Sequence, residues 1–327
     1  MSKIFVTRPI PDQGIKMLEE KRYMIDVYEK DEIIPRGELL KRAAGVDAIL
    51  SILTDTIDEE VLGVAGPQLK IVANYAIGFD NVNVEAARKR GVMVANSPGP
   101  EIVESVAEHT FALMLTLARR ICEADRFTKG GKYRGWGPQL LLGTDVYGKT
   151  LGIVGLGRIG FAVAQRAVKG FRMKLLYNDI KQNADFEREY GAEYVSLEVL
   201  LKNSDFVSLH VPLLTSTKHL ISSAQLLLMK RSAFLINTAR GPIVDEKALL
   251  NALNEKIIAG AALDVFECEP AIDCDPSDHL ELKSMPNVVL TPHTASATIE
   301  ARQAMSRAAA TNIIEALEGR TPPNLIK

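Results

Sequence analysis

The sequence predicts an α/β protein made of two parallel-sheet layers, the second of them doubly wound. Three observations carry that reading. Short apolar runs rich in valine and isoleucine alternate with charged stretches of helical pattern, the signature of βαβ units. The alternation occurs twice, from Ile4 to about residue 95 and from Thr150 to about Leu290, with a different texture between. A length of 327 residues, at roughly 150 per domain, allows two domains.

The strands of the first series are Ile4-Phe5-Val6, Ile25-Asp26-Val27, Ala48-Ile49-Leu50, Lys70-Ile71-Val72-Ala73 and Val92-Met93-Val94. Between them, the acids Asp58-Glu59-Glu60 suit the positive end of a helix dipole. Asn83 can cap a helix that runs to Arg90 and stops at Gly91. The turn formers Asn96-Ser97-Pro98-Gly99-Pro100 then mark a hinge or boundary. Beyond them Ile102, Val106, Leu113 and Leu117 keep a helical period, and Thr110 to Ala118 carries no charge. That helix is expected to be buried on most sides, at a domain or subunit contact. The glycine-rich stretch from Lys129 to Gly148 contains the only tryptophan, Trp136, and reads as an ordered loop used for packing or dimer contact.

The second series supplies strands at Leu151 to Val154, Lys174 to Tyr177, Phe206 to Leu209, Ala233 to Ile236, Gly260 to Leu263 and Val288 to Leu290. A final helix is expected from about Ser296 to Glu318, with Ile299, Met305, Ala309, Ile313 and Leu317 on its apolar stripe. Periodicity does not say which layer it covers.

Composition excludes several classes. Lys and Arg number 39 against 41 Asp and Glu, so there is no basic excess for binding nucleic acid by counterion release. No apolar run is long enough to span a membrane, and the first residues lack the order of a signal peptide. Cys122, Cys268 and Cys274 are odd in number and lack metal-ligand spacing. Unpaired thiols, a reducing cytoplasm and no bound metal are therefore expected.

The sharpest local signal is Gly155-Leu156-Gly157-Arg158-Ile159-Gly160, placed between an apolar strand and a helical stretch. Gly155 can make the tight turn, Gly157 lets a pyrophosphate approach the backbone, and Gly160 permits close packing of helix on strand. Asp179 closes the next strand, where a carboxylate hydrogen-bonds the adenosine ribose and repels a 2′-phosphate. NAD is favoured over NADP on that ground, with the nearby Lys181 softening the preference. Arg240, Glu269 and His293 follow three successive strands of the second layer, at the edge where open α/β sheets hold ligands. Each alone has an ordinary structural explanation. Their joint placement beyond a nucleotide fingerprint points to proton and anion chemistry instead.

These motifs resemble the D-isomer-specific 2-hydroxyacid dehydrogenases. The likeness rests on the glycine fingerprint, Ile236-Asn237-Thr238-Ala239-Arg240-Gly241, Asp264-Val265-Phe266 through Glu269-Pro270, and Thr291-Pro292-His293. Asn74-Tyr75-Ala76-Ile77-Gly78-Phe79-Asp80-Asn81 and Leu53-Thr54-Asp55 look most like the glyoxylate and hydroxypyruvate reductase branch. The resemblance implies two doubly wound domains. A Rossmann NAD-binding domain, residues 99–293, is inserted into a flavodoxin-like substrate domain of residues 1–98 and 294–327. It implies a catalytic set of Arg240, Glu269 and His293, substrate contacts from Leu53, Ile77 and Gly78, and a homodimer. Arg158, Ile159, Thr238 and Ala239 would complete the dinucleotide site, with His210 and Pro212 near the adenosine and Asp264 at the nicotinamide.

Relatives sharpen the reading by contrast. Phosphite dehydrogenase has a lysine where this chain has Ile77, and formate dehydrogenases have glutamine where it has Glu269. A short phosphoglycerate dehydrogenase and a nucleotide-sensing corepressor of the same fold remain as alternatives.

Overall fold

The computed structural model of the chain describes residues 1–269 and 280–326. The described residues divide into two units: Met1–Ile102 with the residues from Ala297 onward, and Val103–Glu269 with the residues up to Ser296. The chain thus changes unit at 102/103 and 296/297, against the 98/99 and 293/294 that the resemblance implies.

In the first unit the order is β1 (Lys3–Val6), α1 (Asp12–Glu20), β2 (Met24–Val27), α2 (Arg36–Ala43), β3 (Ala48–Ser51), α3 (Glu59–Ala65), β4 (Ile71–Asn74), α4 (Val84–Lys89) and β5 (Met93–Ala95). The five strands pair in parallel in the order β2-β1-β3-β4-β5. That is the flavodoxin-like arrangement. Local chemistry sets the helix starts. Asp58 accepts the N–H groups of Glu60 and Val61, and Asn83 accepts that of Ala86. Alternate residues of the strands, Phe5, Ile49 and Val72, pack with Leu39, Val61, Leu62 and Ala86 of α2 to α4.

The chain continues through α5 (Pro100–Ala118), α6 (Ile121–Lys129), β6 (Thr150–Val154), α7 (Arg158–Phe171), β7 (Lys174–Asn178), α8 (Ala184–Tyr190), β8 (Glu193–Tyr194), α9 (Leu197–Asn203) and β9 (Phe206–Leu209). It then forms α10 (Ser223–Leu226), β10 (Phe234–Asn237), α11 (Glu246–Asn254), β11 (Gly260–Leu263), α12 (Leu280–Ser284), β12 (Val288–Leu290) and α13 (Ile299–Leu317). Seven parallel strands take the order β12-β11-β10-β9-β6-β7-β8. This is the doubly wound pattern that reverses direction beside β6, the Rossmann arrangement. One apolar layer joins Leu151, Ile153 and Tyr177 to α5 and α7; the opposite layer joins Val207, Leu235 and Leu263 to α9 and α11.

Three expectations need correction. The sheet has a seventh strand, β8, whose two residues are both exposed and so leave no apolar run to read. Ile299 is exposed, outside the buried stripe of α13, because Thr298 caps the helix through the N–H of Ala301 and leaves Ile299 on its first, open turn. Cys122 is a free thiol, but Cys268 is disulfide-bonded. An odd count leaves one cysteine over without forbidding a pair. Cys274 and Pro270 lie outside the described residues.

The final helix belongs to the first unit, where α13 covers β3, β4 and β5 and packs along α1. Gly14 on α1 makes that packing close, donating its N–H to Ser306 Oγ at 2.9 Å. The tail then turns back on the sheet. Leu325 bridges Ala95 antiparallel, and the Ile326 N–H bonds Val94 O at 2.8 Å. Among the described residues no helix is long and apolar enough to cross a membrane.

A Cβ at Gly14 would sit 2.3 Å from the carbonyl oxygen of Ser306, which is backbone and cannot swing aside. Gly14→Ala is therefore expected to lower the urea-unfolding free energy by about 1–3 kcal/mol, the usual range for overpacking. An unchanged midpoint would show that α1 and α13 can separate without loss.

Candidate active site

Because the strands of the larger sheet are parallel, the segments after β6, β7, β9, β10, β11 and β12 all leave from one edge. The glycine loop, Asp179, His210, Pro212, Thr238, Ala239, Arg240, Asp264, Glu269 and His293 lie on those segments. The glycine loop comes first. Gly155 has φ +94°, a left-handed conformation that favours glycine, and a Cβ there would lie 2.8 Å from the carbonyl group of His210. A Cβ at Gly160 would lie 2.1 Å from Gly155 O, so α7 can approach the loop only without a side chain. Gly157 differs, because a Cβ on it would meet nothing within 4 Å. It is the N-cap of α7, with no side chain capping the helix and no acid in the first turn, where Arg158 and Ile159 follow. The first N–H groups of α7 are thus left to an anion, and this donor set fits a pyrophosphate.

Asp179 stands at the end of β7 and has a second task. Its Oδ2 accepts the Leu156 N–H and its Oδ1 the Ile180 N–H, both at 2.6 Å. The carboxylate therefore fastens the glycine loop to the end of β7. His210 follows β9, its ring Nε2 lies 2.8 Å from Ser208 Oγ, and desolvation pushes its pKa down to about 3. The imidazole is neutral at ordinary pH. Pro212 is exposed two residues on, its carbonyl accepting the Thr217 hydroxyl.

After β10, Asn237 shapes the turn: its Nδ2 donates to Arg240 O at 2.9 Å and its Oδ1 accepts the Ala239 N–H at 3.0 Å. Thr238 within this turn is buried. Gly241 lets the turn lie backbone to backbone against the next segment, since a Cβ on it would be 1.8 Å from Phe266 O. Arg240 is so brought beside the segment that carries Glu269. After β12, His293 Nδ1 lies 2.6 Å from Glu269 Oε2. A carboxylate can only accept, so Nδ1 carries the proton of this bond and Nε2 stands outside it.

Asp264 is fully buried beneath this loop. Its Oδ1 accepts the Thr291 hydroxyl at 2.6 Å and the Thr294 N–H at 2.8 Å, while Oδ2 accepts the Ala295 N–H at 2.8 Å. Burial by itself raises a carboxyl pKa, but these bonds and the His109 imidazole 3.4 Å away hold Asp264 below the ordinary aspartate value. Its carboxylate is engaged by the chain itself. The His293 N–H bonds Asp264 O at 2.8 Å, and His293 is held at φ +53°.

In the other unit, Leu53 follows β3 and Ile77 and Gly78 follow β4, again at the carboxyl ends of parallel strands. Asn74 and Asn81 tie these two loops together. Asn74 Nδ2 donates to Gly78 O and Asn81 Oδ1, and Asn81 Nδ2 donates to the carbonyls of Ile52 and Asp55, all at 2.9 Å. Ile77 O accepts Asn96 Nδ2 at 2.7 Å. In a planar trans peptide this directs the Gly78 N–H the opposite way.

The family described as D-isomer specific 2-hydroxyacid dehydrogenase, NAD binding domain, matches residues 111–295. The chain belongs to the D-isomer-specific 2-hydroxyacid dehydrogenases. It is 52% identical over 326 residues to a glyoxylate reductase of Korarchaeum cryptofilum, covering 99% of this chain and 95% of that one. The figure is 48% over 328 residues for a glyoxylate reductase of Pyrococcus furiosus, again covering 99% and 95%. The fold matches the TT0316 protein of Thermus thermophilus with TM-score 0.91 and 40% identity, over 99% and 100% of the two chains. It matches a D-lactate dehydrogenase of Aquifex aeolicus, complexed with NAD and lactic acid, with TM-score 0.86 and 32% identity over 99% of each chain.

In this dehydrogenase, one group near the site escapes the sequence reading. Ser105, His109 and Thr110 of α5 bond the turns that carry His293 and Arg240. The apolar period of the helix suggests packing alone, yet the spacing of Ser105 and His109, one turn apart, was a signal available in the sequence.

The His210 shift gives a stability test. Its folded pKa is depressed, so between about 3 and the ordinary value of about 6.5 the unfolded chain binds the extra proton. Stability present above that window is lost as pH falls through it. His210→Gln is expected to show a smaller drop in urea midpoint between pH 7 and pH 5 than the parent; equal drops would contradict the assignment.

Proposed function

We propose that this dehydrogenase reduces a small 2-keto acid to the D-2-hydroxy acid, with glyoxylate or hydroxypyruvate as substrate and NADH as reductant. The observation that carries the reading is the 2.6 Å bond between His293 Nδ1 and Glu269 Oε2 at the edge that also bears the glycine loop. The two glyoxylate reductases similar along the whole chain support the choice of substrate.

Bound NADH supplies the hydride. The chain must orient the acid, stabilise the charge that develops on the carbonyl oxygen, and deliver a proton to it. Arg240 bridges the substrate carboxylate and carbonyl oxygen with its planar fork of donors, a task for which lysine lacks the geometry. Carboxylate binding is also assigned to the backbone N–H groups of Ile77 and Gly78, and substrate contact to Leu53. Glu269 holds the imidazole so that His293 Nε2 faces the carbonyl oxygen and gives up its proton. In the oxidative direction the same nitrogen receives it.

On this reading residues 1–98 with 294–327 serve the substrate, and 99–293 serve the cofactor. Gly155, Gly157, Arg158, Ile159 and Gly160 cradle the pyrophosphate, Asp179 takes the ribose, and His210 and Pro212 flank the adenosine. Thr238 and Ala239 continue the site toward Asp264, which fixes the loop beside the nicotinamide. A carboxylate at position 179 disfavours a 2′-phosphate, so NADH is the better reductant and NADPH a weaker one. The working unit is a cytoplasmic homodimer. Trp136 is 84% exposed, and Tyr133 and Leu142 beside it in sequence are also exposed, an apolar segment suited to a second copy. A solution mass of one chain would remove the dimer.

The test follows NADH absorbance with glyoxylate, hydroxypyruvate, pyruvate and 3-phosphohydroxypyruvate. Turnover is expected with the first two, and NADPH should give the lower kcat/KM. His293→Ala should lose about 10² to 10⁴-fold in kcat, the share of positioned acid–base catalysis. Near-normal turnover in that variant would remove His293 from the role.

A further inference from the structure

Two turns carry the proposed chemistry, one with Arg240 and one with His293, and α5 touches both. Ser105 Oγ donates to Ala295 O at 2.9 Å, and Thr110 Oγ1 lies 3.1 Å from Thr238 Oγ1. Between them, His109 Nε2 lies 3.1 Å from Thr291 Oγ1 and 3.4 Å from Asp264 Oδ1.

The direction of these bonds follows from counting protons. Thr291 has one hydroxyl proton, and it goes to Asp264 Oδ1 at 2.6 Å. Toward His109 the hydroxyl can only accept, so His109 Nε2 is the donor. The donor fixes the rotor of Thr291, whose hydroxyl then bonds the buried carboxylate. That carboxylate in turn gathers the N–H groups of Thr294 and Ala295 on the far side of His293. His293 sits between these anchors at φ +53°, in the left-handed region that non-glycine residues occupy uncommonly.

We propose that His109 is a positioning residue of this dehydrogenase: by donating to Thr291 it completes the bond set around Asp264 that holds the His293 loop in its working conformation. The inference rests on the reading of His293 as proton donor. It deepens that reading by assigning part of the donor's alignment to a helix that acts on it through Thr291 and Asp264.

His109→Leu removes the donor and keeps the bulk; His109→Gln keeps an N–H within reach of Thr291. His109→Leu is expected to lower kcat by about 10 to 10²-fold, the scale of a small misplacement of a reacting group, with the NADH dissociation constant within about twofold of the parent. His109→Gln should recover most of that loss, which a requirement for packing volume alone would not predict. In a cycle with Thr291→Val, the second removal should add little, because both act through one bond. Parent-like kcat in His109→Leu, or fully additive effects with Thr291→Val, would overturn the positioning role. His293→Ala run alongside separates the two ideas. Near-normal turnover there removes the proton-donor reading and this inference with it, whereas a large loss there with parent-like His109→Leu overturns the positioning role alone.

Discussion

The constraint on which the site depends is the common direction of the strands in the seven-stranded sheet. A parallel pair cannot be closed by a tight hairpin, so each strand is followed by a crossover and each crossover begins at the same edge. The glycine loop, Asp179, His210, Arg240, Glu269 and His293 are far apart in sequence. They share an edge because β6, β7, β9, β10, β11 and β12 all point to it. The order of the strands does the rest, since β10, β11 and β12 are consecutive neighbours and place the last three groups on adjacent turns.

Within that frame, close approach and satisfaction of buried charge set the geometry. Gly241 brings the Arg240 turn against the Phe266 carbonyl, and Gly155 brings the glycine loop under His210. The buried Asp264 carboxylate acts differently. A charge removed from water must find donors, and those it finds are the N–H and O–H groups of the loop that carries His293. The same carboxylate thus makes the loop's conformation a condition of its own burial.

Most strands were legible because a strand buried on both faces reads as an uninterrupted apolar run. β8 was not, since its two residues gain their place from pairing with β7 rather than from hydrophobicity. The helix caps Asp58 and Asn83 were legible, whereas the start of α13 depended on Thr298 and displaced Ile299 into solvent. At the site, the residue types and their positions at strand ends were readable. The partners were not: that Asp179 would fasten Leu156, or that Asp264 would be fully engaged by Thr291, Thr294 and Ala295, depends on long-range register that no local pattern encodes. His109 was hidden by its neighbours, for an apolar helix advertises packing and one polar side chain within it does not announce its partner.

The tail of the chain has a consequence of another kind. β5 is the last strand of the smaller sheet, and an edge strand offers unpaired peptide groups to any extended chain that meets it. Here the Leu325 bridge to Ala95 and the Ile326 bond to Val94 put residues of the same chain on that border. The segment lends β5 a short antiparallel selvedge, so that an incoming extended chain would have to displace it before pairing at this edge.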